Sequence, residues 1–399
     1  MRKLTVLLVA ALSLPAFAAK DGSLAKVSVV QLEQALATAQ GRPDAELAQQ
    51  LSEMQLTERL SETRLARLRA ELPGEKAQQA LMIVADSAAF LDPPEAEIPA
   101  NPAPDRAALR QMMTLIVNYV NTTVPQLPNL IAMRSTTGFE DRPQEDVQGE
   151  TGLTTLVYLP LHVVGKSTVT VTYRDRQEVM DEKALKRGPQ IGGLATAGEF
   201  GPILSRVVAD AIKGKITWGR WEQGANGTEA VFHYAVPEDK SHYDVKFCCV
   251  VDGFNSDGLP NRQVFDERAS YHGEIAFDPT NGAILRITLE AEMPPGGLVP
   301  RAGISVEYAP VEIGGKSYVC PAKSVSILLA HTGAHQGAYA RSNYQGPAKT
   351  FQNDVTFGQY RRFGSETRIL TENEGDANRP SGPSSADAPY APPSRAPTH

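Results

Sequence analysis

The spacing of apolar residues changes along this chain near Pro125, and that change limits the possible folds more than any other feature. Before it, apolar side chains recur at three- and four-residue intervals: Val29, Leu32 and Leu36; Leu47, Leu51 and Met54; Leu65, Leu68 and Leu72; Leu81, Val84 and Ala88; and Met112, Leu115, Ile116 and Tyr119. That period buries one stripe of a helix. After it, Ile131, Met133, Ser135, Thr137 and Phe139 alternate with their neighbours, as do Ser167, Val169, Val171 and Tyr173, and Ala230, Phe232, Tyr234 and Val236. A period of two lines one face of a strand. Helices followed by a run of strands predict an α+β chain.

Local chemistry divides the first part into several short helices over residues 19–91. Ser28 with Gln31 has the form of a capping box, and Asp44 and Asp105 are placed to cap helix starts. Gly41-Arg42-Pro43 and Pro73-Gly74 interrupt the pattern. Prolines at 93, 94, 99, 102 and 104 make residues 92–104 an extended linker, and a helix over 105–124 leads into a sheet domain spanning 125–371. Further strands are expected around Leu153 to Val164, Ile216 to Trp221, Tyr243 to Val251, Tyr271 to Phe277, Ile284 to Ala291, Ile304 to Tyr308, Ser317 to Leu329 and Asp354 to Phe363. Asp278-Pro279-Thr280-Asn281-Gly282 and Gly314-Gly315 suit tight hairpin turns, so neighbours in sequence pair antiparallel. One helix interrupts the strands over 199–213, where Ile203, Val207, Val208 and Ile212 share a face and Arg206 and Asp210 lie off it. The economical packing is a strongly curved antiparallel sheet, a half-barrel, covered by that helix. Residues 372–399 hold almost no large apolar side chain and are expected to be disordered.

The first eighteen residues bear on compartment. Met1-Arg2-Lys3, the apolar run from Leu4 to Leu14 and the A-x-A ending Ala16-Phe17-Ala18 read as a cleavable signal peptide. Its core of 11 residues is short of the roughly 20 that a spanning helix needs. The expectation is an exported protein, periplasmic or extracellular, that does not span the membrane. Removing Arg2 and Lys3 takes the formal charge from −7 to −9, which argues against nucleic acid as a partner.

The common fingerprints for hydrolase nucleophiles, zincins, phosphate loops and dinucleotide binding are missing, and the chain is read as non-catalytic and without a cofactor. A carboxylate pair distant in sequence would leave no such mark. His331 and His335 have i, i+4 spacing, but glycines surround them; Asp252 to Gly258 resembles a calcium loop one position out of register. Both read as loops. Of three cysteines, Cys248 and Cys249 are adjacent on a predicted strand, with Cys249 in the apolar register of Tyr243, Val245, Phe247 and Val251. A disulfide from Cys249 to Cys320 is therefore expected, closing about 70 residues for about 4 kcal/mol. Phe200, Ile203, Val207, Trp218, Trp221 and Phe232 are the candidates for lining a groove between helix and sheet.

Four stretches resemble a family of exported bacterial proteins of unknown function: Leu127-Pro128-Asn129-Leu130, Gly198-Glu199-Phe200-Gly201, Tyr271-His272-Gly273-Glu274-Ile275 with Asp278, and Val306-Glu307-Tyr308-Ala309-Pro310-Val311. The resemblance covers roughly Leu127 to Leu370. The sheet-plus-helix plan also looks like the incomplete β-barrels of the LolA, LolB and RseB group of envelope proteins. That likeness implies an apolar face holding acyl chains, a lipoprotein segment or a peptide. The long N-terminal helical region departs from those small carriers and leaves room for another role, such as docking an envelope partner. The alternatives are an exported hydrolase with a site that matches no motif, and a structural or partner-interaction module.

Overall fold

A computed structural model describes residues 24–149, 152–180, 191–194, 198–225, 227–257, 259–336 and 343–363. The expected signal segment and C-terminal tail lie outside them. The N-terminal part runs β1 (Ala25–Val27), α1 (Val29–Thr38), α2 (Asp44–Ser52), β2 (Met54–Leu56), α3 (Glu62–Glu71) and α4 (Glu75–Ser87), with β1 and β2 paired parallel. Its stripes close on one cluster in which Leu32, Leu51 and Leu81 are fully buried, each contributing roughly 1.5–3 kcal/mol of apolar burial. Ser28 and Gln31 form the capping box. Asp44 works differently from its expected role. It is the first residue of α2, and its carboxylate accepts from Lys76 N (3.1 Å) and Ala77 N (2.8 Å), capping α4 instead. A side chain at Gly74 would meet that carboxylate at 2.6 Å, so glycine there keeps the two helices in register.

Then come α5 (Arg106–Asn118), capped by Asp105 through Ala108 N, and the strands β3 (Leu130–Arg142), β4 (Glu145–Gly149), β5 (Gly152–Leu156), β6 (Leu159–Arg174) and β7 (Gln177–Met180). Helix α6 (Pro202–Lys213) precedes β8 (Lys215–Gly224), β9 (Gly227–Val236), β10 (Asp244–Phe254), β11 (Pro260–Arg268), β12 (Tyr271–Phe277) and β13 (Ile284–Ala291). The chain continues through β14 (Arg301–Ile313), β15 (Lys316–His331), β16 (Ala334–Gln336), β17 (Asn343–Gln345) and β18 (Ala348–Arg362). Ten strands form one antiparallel sheet in the order β7-β6-β3-β18-β15-β14-β13-β12-β9-β8. Its end strands do not pair, so the expected half-barrel is an open sheet rather than a closed one. Gly314 and Gly315, at φ +61° and +78°, make the β14–β15 turn. Asp278 ties the β12–β13 turn through Thr280 N and Asn281 Nδ2. Strand β11 has no counterpart among the expected strands, because Phe265 is its one buried residue and no alternation marks it.

The two sheet faces are covered by different chemistry. On one, Phe232, Ile275, Ile287, Val306 and Leu328 pack under α5, α6 and the β10–β11 hairpin. The other carries charges beneath the N-terminal helices. Arg286, 4% exposed, pairs with Glu222 at 3.1 Å and Glu274 at 3.0 Å, and Arg59 of the helical part also meets Glu222. Lys323 reaches Asp86 at 2.8 Å and Glu62 at 2.9 Å. Removing one member of such a buried set strands its partner, so the network fixes how the layers meet more than it adds stability.

Candidate functional site

Helix α6 crosses the apolar face, and two carboxylates hold its ends. Near the C-terminal end, Asp210 accepts from Tyr271 Oη (2.9 Å) and His242 N (2.9 Å) and lies 2.6 Å from His242 Nδ1. Asp210 is 1% exposed. This corrects the expectation that Asp210 lies off the packed face; Ile212, expected within it, is 52% exposed, and the buried stripe is Leu204, Val207, Val208 and Ala211. Ahead of α6, Glu178 Oε2 accepts from Gly198 N at 2.9 Å, tying the lead-in segment to β7.

Beside the first turns of α6 the covering is incomplete. A cavity of about 470 Å³ is walled by Pro202, Ile203 and Val207 of the helix and by Tyr271, Leu289 and Ile304 of the sheet, with Tyr243 beside them. Glu178, Glu199 and Gly198 also line it, and Arg176 and Arg206, both exposed, stand at its rim. A smaller cavity of about 260 Å³ involves Phe200 and Leu204 together with Tyr119, Tyr308 and Tyr318. Volumes of this order hold small ligands or single chains.

Several buried polar atoms near these cavities make no hydrogen bond. Glu199 is 0% exposed, neither of its carboxylate oxygens has a hydrogen bond, and Arg134 Nη2 stands 3.7 Å away. Glu178 Oε1 and Tyr308 Oη also lack hydrogen bonds. Burial, then the nearby Glu199 charge, pushes the Glu178 carboxyl up to about 7. Burial, with the Glu199 charge next in weight, holds the Tyr308 phenol well above its ordinary range. Groups of this kind are normally satisfied.

Of the six groove candidates, Ile203 and Val207 line the larger cavity and Phe200 the smaller. Phe200 also packs edge-on to Phe357 and Tyr360. Trp218, Trp221 and Phe232 line neither. Phe232 is buried against Phe277 and Trp218, and Trp221 packs on Trp218 while its indole donates to Pro102 O at 2.9 Å, fastening the proline-rich segment. Their alternation marked a packed face, which a groove and a core share.

The expected Cys249–Cys320 bond is not formed. Cys248 is bonded to Cys249, and Cys320 is an unpaired, fully buried thiol packed with Leu130, Val171 and Phe357. A bulge between Phe247 and Val250 breaks the strand's alternation, so Val250 points inward and Cys249 is only half-buried. Burial pushes the Cys320 thiol up to about 12. His331 ends β15 with Nδ1 2.6 Å from Gly346 O, while His335 lies on β16 opposite Tyr344, so the i, i+4 spacing shares no helix face. In the Asp252 loop Asn255 Oδ1 accepts from the amides of Asp257 and Leu259, which makes it a hairpin turn. Among the described residues no group of three or more His, Cys, Asp or Glu could hold a metal ion, and no helix is long and apolar enough to cross a membrane.

The residues that sequence reasoning missed are Glu178, Glu199, Asp210 and Arg206. The one signal available was Glu199 set between Gly198 and Gly201 at a helix start. No family model, characterised protein or solved structure matches this chain, so the assignment of a role rests on the geometry above.

Proposed function

We propose that this chain is an exported envelope protein that binds an amphipathic ligand, a lipid or a lipoprotein or peptide segment, between α6 and the sheet, and that it performs no chemistry on it. The observation that carries the reading is the cavity of about 470 Å³. Its apolar wall residues, Ile203, Val207, Leu289 and Ile304, would meet a chain, while Arg176, Gln177, Arg206, Asp244 and Lys246 offer polar contacts. The resemblance to envelope carriers with a sheet and a covering helix supports the same reading at the level of plan. Export follows from the expected signal peptide.

A hydrolase reading has the Glu178–Glu199 pair in its favour, since a carboxyl near 7 suits a general acid. Against it, Glu178 spends Oε2 on the backbone amide of Gly198, which is a tether rather than a reacting position. Titrating cis-parinaric acid into the purified protein tests the binding reading. Saturable binding by the wild type, lost in Ile203→Trp, which fills the cavity from its half-buried wall, is the expected result. Equal binding by both proteins, or none by the wild type, would overturn it.

A further inference from the structure

The binding reading leaves the ligand's head group open, and the charges around the cavity narrow it. Six charged side chains line it, and four of them are already engaged. Glu199 is buried and faces Arg134 at 3.7 Å, Glu178 accepts from Gly198 N at 2.9 Å, Asp244 pairs with Arg268 at 3.2 Å, and Lys246 pairs with Asp266 at 3.0 Å. The other two are Arg206, one turn along α6 from Pro202, and Arg176, in the β6–β7 turn. Both are exposed, and neither makes a salt bridge among the described residues. Two guanidiniums beside one apolar cavity thus carry positive charge that no carboxylate answers, on a chain whose formal charge is −7.

Arg176 carries a second mark. Its φ is +66° and that of Asp175 before it is +54°, the left-handed pair of a tight hairpin turn. Glycine is the ordinary residue at the second of these positions. A larger side chain held there against its backbone preference points to a use for that side chain. A guanidinium presents parallel N–H groups that match the oxygens of a carboxylate or a phosphate, and it keeps its charge at any working pH.

Resting on that binding reading, we propose that the cavity takes a single-chain anionic amphiphile, with its terminal carboxylate or phosphate at Arg176 and Arg206 and its chain along Ile203, Val207, Leu289 and Ile304. A volume of about 470 Å³ suits one chain. A cationic head would meet like charge at the opening, and a neutral head would gain from the chain alone.

The test is calorimetric titration of the purified protein with dodecanoate, dodecyl phosphate, dodecyltrimethylammonium and dodecyl maltoside, each below its micellar concentration. Acetate and inorganic phosphate serve as the chainless arms. The wild type is expected to bind an anionic amphiphile at least about tenfold more tightly than the cationic and neutral ones, the scale of one hydrogen bond to a charged group. The tighter of dodecanoate and dodecyl phosphate names the oxyanion. Added salt should weaken the anions and spare the neutral amphiphile. Arg176→Gly suits the turn, so it should fold at least as stably as the wild type while losing most of the preference for anions. Arg206→Gln should lose that preference too, and both variants should bind the maltoside as the wild type does. Equal affinity for the four head groups, or a preference for anions that survives both replacements, overturns the head-group assignment and leaves the cavity reading standing. Tight binding of acetate or phosphate alone overturns the amphiphile as the source of the oxyanion. Binding of none of the amphiphiles overturns both readings.

Discussion

Replacing Asp210 by alanine tests whether α6 is anchored as described. The carboxylate is 1% exposed and receives Tyr271 Oη and His242 N at 2.9 Å each. Without it the Tyr271 hydroxyl, on a residue with no exposed surface, loses the acceptor it has, and the His242 amide loses its partner. Each stranded buried donor costs about 1–3 kcal/mol. The His242 side chain is 58% exposed, so water relieves part of the second loss, and the sum comes to about 3 kcal/mol. For a chain of this size that is a fall in Tm of about 4 °C. Urea unfolding should show a lower midpoint with an unchanged m-value, since the surface exposed on unfolding stays the same. Asp210→Asn retains one acceptor and should lose about half as much. Arg206→Ala, exposed one turn earlier, should stay within about 0.5 kcal/mol of the wild type. An Asp210→Ala protein within 1 kcal/mol of wild type would refute the anchoring argument.

Stability should fall as pH rises from the ordinary carboxylate range to about 7. Burial, then Glu199, raises the Glu178 carboxyl to about 7, so the folded state holds a proton that the unfolded chain has released; the effect is at most on the order of 3 kcal/mol. Glu178→Gln should flatten that limb, and a variant curve parallel to the wild type would contradict it. Gly273→Ala should cost several kcal/mol or prevent folding, because its Cβ would sit 1.9 Å from Thr288 O; normal expression and an unchanged unfolding midpoint would count against the strand register. Cys320 should resist alkylation in the native protein and react once it is unfolded, because it is buried and its thiol is pushed up to about 12. Rapid native labelling, or a peptide linking Cys320 to Cys249, would overturn that placement.

The helical half of the fold was readable from sequence because caps and stripes are local. Ser28 with Gln31, Asp105, and the Leu32, Leu51 and Leu81 positions are decided within a turn or two of chain. Tyr271–Phe277 and Ile284–Ala291 were likewise legible, since turn residues bracket an alternating run. What failed depended on distance. Asp44 caps a helix thirty residues on, and Asp210 looks like a surface residue until Tyr271 arrives from β12 and His242 from the connection before β10. The bulge at Cys248-Cys249 shifted a register that simple alternation had assigned. For the site, Ile203 and Val207 could be picked by their helix face, but the polar end could not. Glu178 and Glu199 meet only because β7 and the lead into α6 pack side by side, and nothing in their own neighbourhoods signals a buried pair.

The central claim is that the space beside the first turns of α6 holds an amphipathic molecule, and native mass spectrometry of the purified protein, isolated without detergent, tests it most directly. The account predicts one bound amphiphile per chain in the wild type, released on organic extraction, and its absence from the cavity-filled Ile203→Trp variant. A wild-type protein that carries no such mass and takes none up, or an Ile203→Trp variant that carries the same mass, would contradict it.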